Sequence, residues 1–170
     1  MILRTINEFI AYDERQRMVP ADRARLAAVV SAARDRGPTD HATLRAVGIG
    51  LLVLGEHGDA IGHLERALDL ADTSGRRIAA SVNLADAHRY SGDPAASEAL
   101  CRTALSLARR EAPELVSFAL QHLGKTLAEA GRVREAREAL EEALALRVAA
   151  GDPELIESSR AALRLLDPRQ

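Results

Sequence analysis

The residues whose type and spacing first raise the question of chemistry are the five histidines, the single cysteine and a short run of glycines. His57 and His63 stand six apart, which puts them on different faces of a helix rather than at the i, i+4 spacing that lets two imidazoles share a metal ion. No third ligand accompanies them, so no metal site is expected. His88 and Cys101 each fall on an apolar stripe, and read as a hydrogen-bonded interior histidine and a buried, inert thiol. The stretch Gly48-Ile-Gly50-Leu-Leu-Val-Leu-Gly55 has the outline of a phosphate-cradling glycine loop. However, Val53 stands where the third glycine belongs, and no strand precedes it to form a platform. Neither GxxxxGK[ST] nor HExxH occurs. Nothing assembles a nucleophile, a base and an orienting group, so no catalytic residue and no cofactor is expected, and the chain reads as a non-enzyme.

The elements that must position the remaining polar residues are helical. Apolar residues make up 47% of the 170 positions but aromatics only 2%, and no long alternating β-branched or aromatic run supports strands. A chain of this length removes about 70% of its unfolded surface from water, enough for one core or one continuous stack of small units. The net charge of −2 lacks the basic excess that a nucleic-acid binder uses to neutralise phosphates. Arginine supplies all the basic charge except Lys125, as codon bias in a GC-rich genome would produce. A single cysteine excludes an internal disulfide framework. The opening MILRTINEFIAYDERQRM is broken by Arg4, Glu8 and Asp13, so neither a signal peptide nor a membrane span is read there, and a cytoplasmic protein is expected.

The chain repeats itself. Residues 122–146 match 83–107 and 46–70, with turn glycines at Gly55, Gly92 and Gly131 and alanines at Ala67, Ala104 and Ala143. Both sets are spaced by 37 and then 39 residues, and a period of this length indicates a helical array. In the third unit Leu120, Leu123, Gly124 and Leu127 mark one face of a first helix, Gly131 supplies a helix stop, and Ala136, Leu140, Ala143 and Leu144 mark the second. The first unit follows with Leu44, Val47, Gly48 and Leu51, then Ala60, Leu64 and Ala67. The second is degenerate, with Ser81, Leu84, Ala85 and His88, then Ser97, Cys101 and Ala104. Small residues at 48, 85 and 124 let the paired helices cross closely. Asp93-Pro94 and Asp152-Pro153 each place a capping acid before a first-turn proline.

On these residues the chain resembles the tetratricopeptide repeat (TPR) family over about 41–150. The pattern is Leu120-x2-Leu123-Gly124-x2-Leu127 followed by Ala136-x3-Leu140-x2-Ala143. The usual tryptophan is replaced by leucine or serine, the closing proline is missing, and the units exceed 34 residues. Longer units with an Asn83-Leu84-Ala85 opening are similar to kinesin-light-chain-like repeats and to TPR segments of bacterial regulators. The resemblance implies an all-α, right-handed superhelix of antiparallel helix pairs, an α-solenoid of eight or nine helices, that binds a protein or peptide segment in its concave groove.

The expected organisation is an N-terminal helical pair over 1–38, three repeats over 39–151 and a C-terminal capping helix over 152–170. In the pair, Ile2, Ile6, Phe9 and Ile10 form one stripe and Leu26, Val29, Val30 and Ala33 another, bounded by Pro20 and Gly37-Pro38. In the capping helix Leu155, Ile156, Ser159, Leu163 and Leu166 face inward.

If one face of each first helix packs on its partner, the opposite face lines the groove. The expected partner-binding set is Arg45, Asn83, Asp86, Arg89, Tyr90, Phe118, Gln121, His122 and Lys125, with Asp86 beside Lys125 and Asn83 beside His122. Amides such as Asn83 offer both donor and acceptor to an extended backbone, and exposed aromatics mark interaction surfaces. The apolar Ile49, Leu52 and Val53 on the same face require a cover, either the N-terminal segment or a ligand. The alternatives to an adaptor are a sensor responding to a peptide or small molecule, and a self-assembly module forming a homodimer through its end helices.

Overall fold

The computed structural model describes residues 2–167; Met1 and positions 168–170 of the expected C-terminal cap lie outside it. Helix α1 (Ile2–Asn7) leads into strands β1 (Ile10–Tyr12) and β2 (Met18–Pro20), followed by α2 (Arg23–Asp35). Three antiparallel helix pairs come next: α3 (His41–Leu54) with α4 (His57–Asp69), α5 (Ser74–Tyr90) with α6 (Pro94–Glu111), and α7 (Val116–Glu129) with α8 (Val133–Ala150). A 3₁₀ turn, Pro113–Leu115, opens the third pair, and α9 (Pro153–Arg164) packs on α8. Each helix packs on the next, and the first helices α3, α5 and α7 also touch one another, so this is an all-α solenoid.

The local signals act as the chain chemistry dictates. Asp93 and Asp152 accept the amides of Ala96 at 3.0 Å and Leu155 at 3.2 Å, capping α6 and α9 ahead of their prolines. Gly55, Gly92 and Gly131 adopt φ of 83°, 90° and 77°, the left-handed conformation that closes each pair.

Within each pair the crossing is set by a size exchange. A Cβ on Gly48 would lie 2.6 Å from Leu64 Cγ, and one on Gly124 would lie 2.5 Å from Leu140 Cγ. The second pair carries Ala85 at the glycine position and Cys101 at the leucine position, both fully buried. Where the first helix gains a methyl group, the second gives up volume, which is what a close-packed interior requires. Burial pushes the Cys101 thiol up to about 12, consistent with an interior filler and not a nucleophile.

The N-terminal expectation needs correction. The helix meant to carry Phe9 and Ile10 ends at Asn7, and Ile10 lies in a strand. Ile10 pairs with Pro20, Ala11 with Val19, and Tyr12 with Met18. Asp13 closes the loop, its carboxylate accepting the amides of Arg15 and Arg17 at 2.9 Å each, the role aspartate favours in turns. Pro20, which has no amide to donate, sits at the strand end. Apolar residues at 2, 6, 9 and 10 satisfy a helical period over a short window, but the contacts that decide their conformation come from helices far along the chain.

Ile49, Leu52 and Val53 are buried, in one apolar cluster with Ile6 and with the half-buried Leu3, Ile10 and Met18. The N-terminal segment is therefore their cover. Gly50 lets α2 come close, since a Cβ there would lie 2.4 Å from Val30 Cγ2.

Candidate functional site

The inner face is formed by α3, α5 and α7, and the β1–β2 hairpin lies across it as a strap. The Met18 amide donates to the Tyr90 hydroxyl at 2.6 Å. Lys125 Nζ donates to the Gln16 carbonyl at 3.3 Å and lies 5.7 Å from the Tyr12 ring centroid. Arg17 pairs with Glu129 through both its Nε and its Nη2. The guanidinium groups of Arg17 and Arg89 lie 4.8 and 4.9 Å from the Tyr90 centroid. Glu129 joins them, accepting from Arg89 Nη1 at 2.6 Å as well.

Beneath the strap, polar pairs link each first helix to the next. Arg45 Nε donates to Asn83 Oδ1 at 2.7 Å, tying α3 to α5. Asp86 receives Arg89 Nη2 at 2.8 Å from its own helix and meets His122 Nδ1 at 3.0 Å, tying α5 to α7. Gln121 Oε1 accepts from Ser159 Oγ at 2.8 Å, which in turn accepts from Arg147 Nη1 at 2.9 Å, tying α7 to α9 and α8. Phe118 packs edge-on against His122, their centroids 4.8 Å apart.

Every residue of the expected binding set thus lies on or just beneath one face, but the pairing differs from the expectation. Asp86 meets His122 rather than Lys125, and Asn83 meets Arg45 rather than His122. The long Lys125 side chain extends outward to the strap carbonyl, and the shorter imidazole one turn earlier takes the carboxylate. Asn83, Asp86, Arg89 and Gln121 are buried with the strap in place, whereas Arg45, Tyr90, Phe118, His122 and Lys125 retain partial exposure.

Electrostatics under the strap follow from burial. Burial alone would raise the Asp86 carboxyl, but His122 and Arg89 beside it hold it well below the usual carboxylate range. Burial lowers the His122 imidazole against the pull of Asp86. It also brings the Lys125 ammonium down to about 8, and it raises the Tyr90 phenol. Nε of Arg89 and of Arg147 are buried without hydrogen-bond partners. The two histidines first considered as ligands stand apart: His57 lies edge-on to Tyr90 with centroids 6.2 Å apart, and His63 engages the Asp59 carbonyl of its own helix.

Three cavities line up along the face. One of about 340 Å³ lies between Leu3, Ile10, Arg45 and Ile49. A second of about 140 Å³ lies under the strap among Asp86, Arg89, Lys125 and Arg147. A third of about 710 Å³ opens between the hairpin loop and α9, against Leu155, Ser158 and Arg164. Tyr12 lines all three, so one side chain of the strap partitions the groove. The binding set read from the sequence omits Tyr12, Gln16, Arg17, Met18 and Glu129. The available signal was the pair of strand-forming triplets Ile10-Ala11-Tyr12 and Met18-Val19-Pro20 around the polar Asp13–Arg17.

The repeat geometry has counterparts among known proteins, and the tetratricopeptide repeat family model matches residues 76–147, the second and third helix pairs. Over these residues the chain is similar to tetratricopeptide repeats. The TPR solenoid MamA is similar in structure, with a TM-score of 0.58 at 19% identity, covering 83% of this chain and 86% of that one. The nearly identical TPR-like repeats of a candidate kinesin light chain from Podosopora anserina superpose with a TM-score of 0.57 at 19% identity, covering 82% and 74%. A single-substitution variant of those repeats gives 0.59 at 19% identity, covering 82% and 73%. No curated protein matches the sequence. TPR folds as a class mediate protein–protein interaction. No helix among the described residues is long and apolar enough to cross a membrane.

Proposed function

We propose that this chain is a non-catalytic adaptor that binds a protein or peptide segment in the groove formed by α3, α5 and α7. The observation that carries the reading is that this face already holds a peptide segment. Its own residues 10–20 lie there through Tyr90, Lys125 and Glu129, and two of these three belong to the binding set read from the sequence. Main-chain contacts from Met18 and Gln16 are the kind any extended segment can make. In this reading residues 2–38 cap one end of the stack and send their hairpin over the groove, 39–151 carry the three repeats, and 152–167 cap the other.

Immobilised full-length chain tests this against a Glu129→Arg variant of the groove and an Arg102→Glu variant on the outer face, where Arg102 pairs with Glu98. Partners should be retained by the outer variant and lost with the groove variant. An identical set captured by all three would reject the groove.

A further inference from the structure

The strap covers the very residues assigned to partner binding, so the chain as folded has its groove occupied. We infer that residues 10–20 are a displaceable internal occupant, and that the external partner is an extended segment with an arginine, which takes over the contacts of Met18, Arg17 and Gln16. This rests on the groove-binding reading and specifies both its partner and its regulation.

Three observations carry it. First, the strap is a weakly supported element: two strands of three residues each, none of them fully buried. A lone two-stranded hairpin is marginal in water and stays in place only through what it docks on. Second, its hydrogen bonds and ion pair to α5 and α7 come from three consecutive residues, 16–18. Two of these use main-chain groups, the Met18 amide on Tyr90 and the Gln16 carbonyl on Lys125, and make no demand on sequence. The third, Arg17, is specific: its guanidinium meets the Glu129 carboxylate and the Tyr90 face together. A planar, forked cation satisfies both, whereas lysine offers only a point charge. Third, room for a longer segment lies on either side of the hairpin, in the cavities of about 340 and 710 Å³ that Tyr12 separates. Removing the strap would join them through the small cavity at Asp86, Arg89 and Lys125 into a single channel.

Opening the strap uncovers only the part of the apolar face of α3, at Ile49, that Ile10 and Met18 line. Ile6 of α1 and Val30 of α2 pack against Gly50 independently of the hairpin. Opening the strap is therefore a local event, and the fraction of molecules with an open groove divides into the partner's apparent affinity.

The test uses the full chain and a labelled synthetic peptide with the sequence of residues 9–21, FIAYDERQRMVPA. Binding is read by fluorescence anisotropy, helicity by circular dichroism, and opening by amide exchange at residues 10–20. The Arg17 side chain is 29% exposed, so Arg17→Ala should leave the helices intact while loosening the strap. Arg17→Ala chain should bind the peptide at least tenfold more tightly than wild type does. A peptide carrying Arg17→Ala should lose that binding, and so should chain carrying Arg17→Ala with Glu129→Arg. Equal binding by wild-type and Arg17→Ala chain overturns the inference, as does exchange at residues 10–20 that is no faster in Arg17→Ala chain than in wild type. Light scattering that shows Arg17→Ala chain forming dimers, in place of binding peptide, overturns the external partner in favour of a second copy. Failure here is separable from failure of the adaptor reading: a captured partner that depends on Glu129 but is indifferent to Arg17→Ala leaves groove binding standing and removes only the strap.

Discussion

The Tyr90 hydroxyl accepts the Met18 amide at 2.6 Å, joining residues 72 apart in sequence. That one bond fixes a segment with little support of its own to the second repeat, and it places Arg17 over the ring of the same tyrosine, 4.8 Å from its centroid. Tyr90→Phe keeps the ring and removes the acceptor. It should cost about 1 kcal/mol, the usual net worth of such a bond, and amide exchange should accelerate at Met18 while α5 and α7 stay protected. Unchanged exchange at Met18 would count against this anchoring role.

Asp86 and Arg89 form an ion pair with side chains 2% and 1% exposed. Replacing such a pair together can be harmless, but removing one partner strands a buried charge, at a cost of about 3–5 kcal/mol. Asp86→Asn should therefore lower stability in urea titrations by that order. Asp86→Asn combined with Arg89→Leu should recover part of the loss, although Glu129 then loses a donor.

Gly124 and Leu140 should behave as a coupled pair. Gly124→Ala places a methyl group within 2.5 Å of Leu140 Cγ, and overpacking of this kind costs about 1–3 kcal/mol. Leu140→Cys in the same chain copies the Ala85–Cys101 solution of the second repeat. A double-mutant cycle should show the alanine costing less in that background; additive losses would contradict the size exchange.

Lys125 gives a pH signature. Its ammonium titrates near 8 in the folded chain, against an ordinary value of 10.5 that the unfolded chain retains. Between these values the unfolded state binds more protons, so Lys125 makes stability rise with pH over that window. Lys125→Met has no such proton. The Tm of wild type minus that of Lys125→Met should therefore increase from pH 7.5 to 9.5, and a flat difference would place Lys125 in water.

The repeat was legible because its determinants are local. Leu120, Leu123, Gly124 and Leu127 recur at helical spacing, the glycine at Gly131 has to take a left-handed turn, and Asp93 caps the helix that Pro94 begins. These depend on neighbours within one or two turns, and the same landmarks returning 37 and 39 residues apart identify the stack without any coordinates. The inner face was legible for the same reason, since helix geometry alone puts Arg89, Tyr90, Phe118 and Lys125 opposite the packing stripe. What these residues touch was not. Asp86 selected His122 over Lys125 through side-chain reach across two helices, which periodicity does not encode. The strap was less visible still. Phe9 and Ile10 fit a helical stripe over ten residues, and only contacts with Tyr90, Lys125 and Glu129, 72 to 112 positions away, make that stretch a hairpin. Local chemistry thus determines the helices, their turns and the face they present. Long-range packing, which acts only once the stack exists, decides that the face is occupied by the chain's own amino-terminal segment.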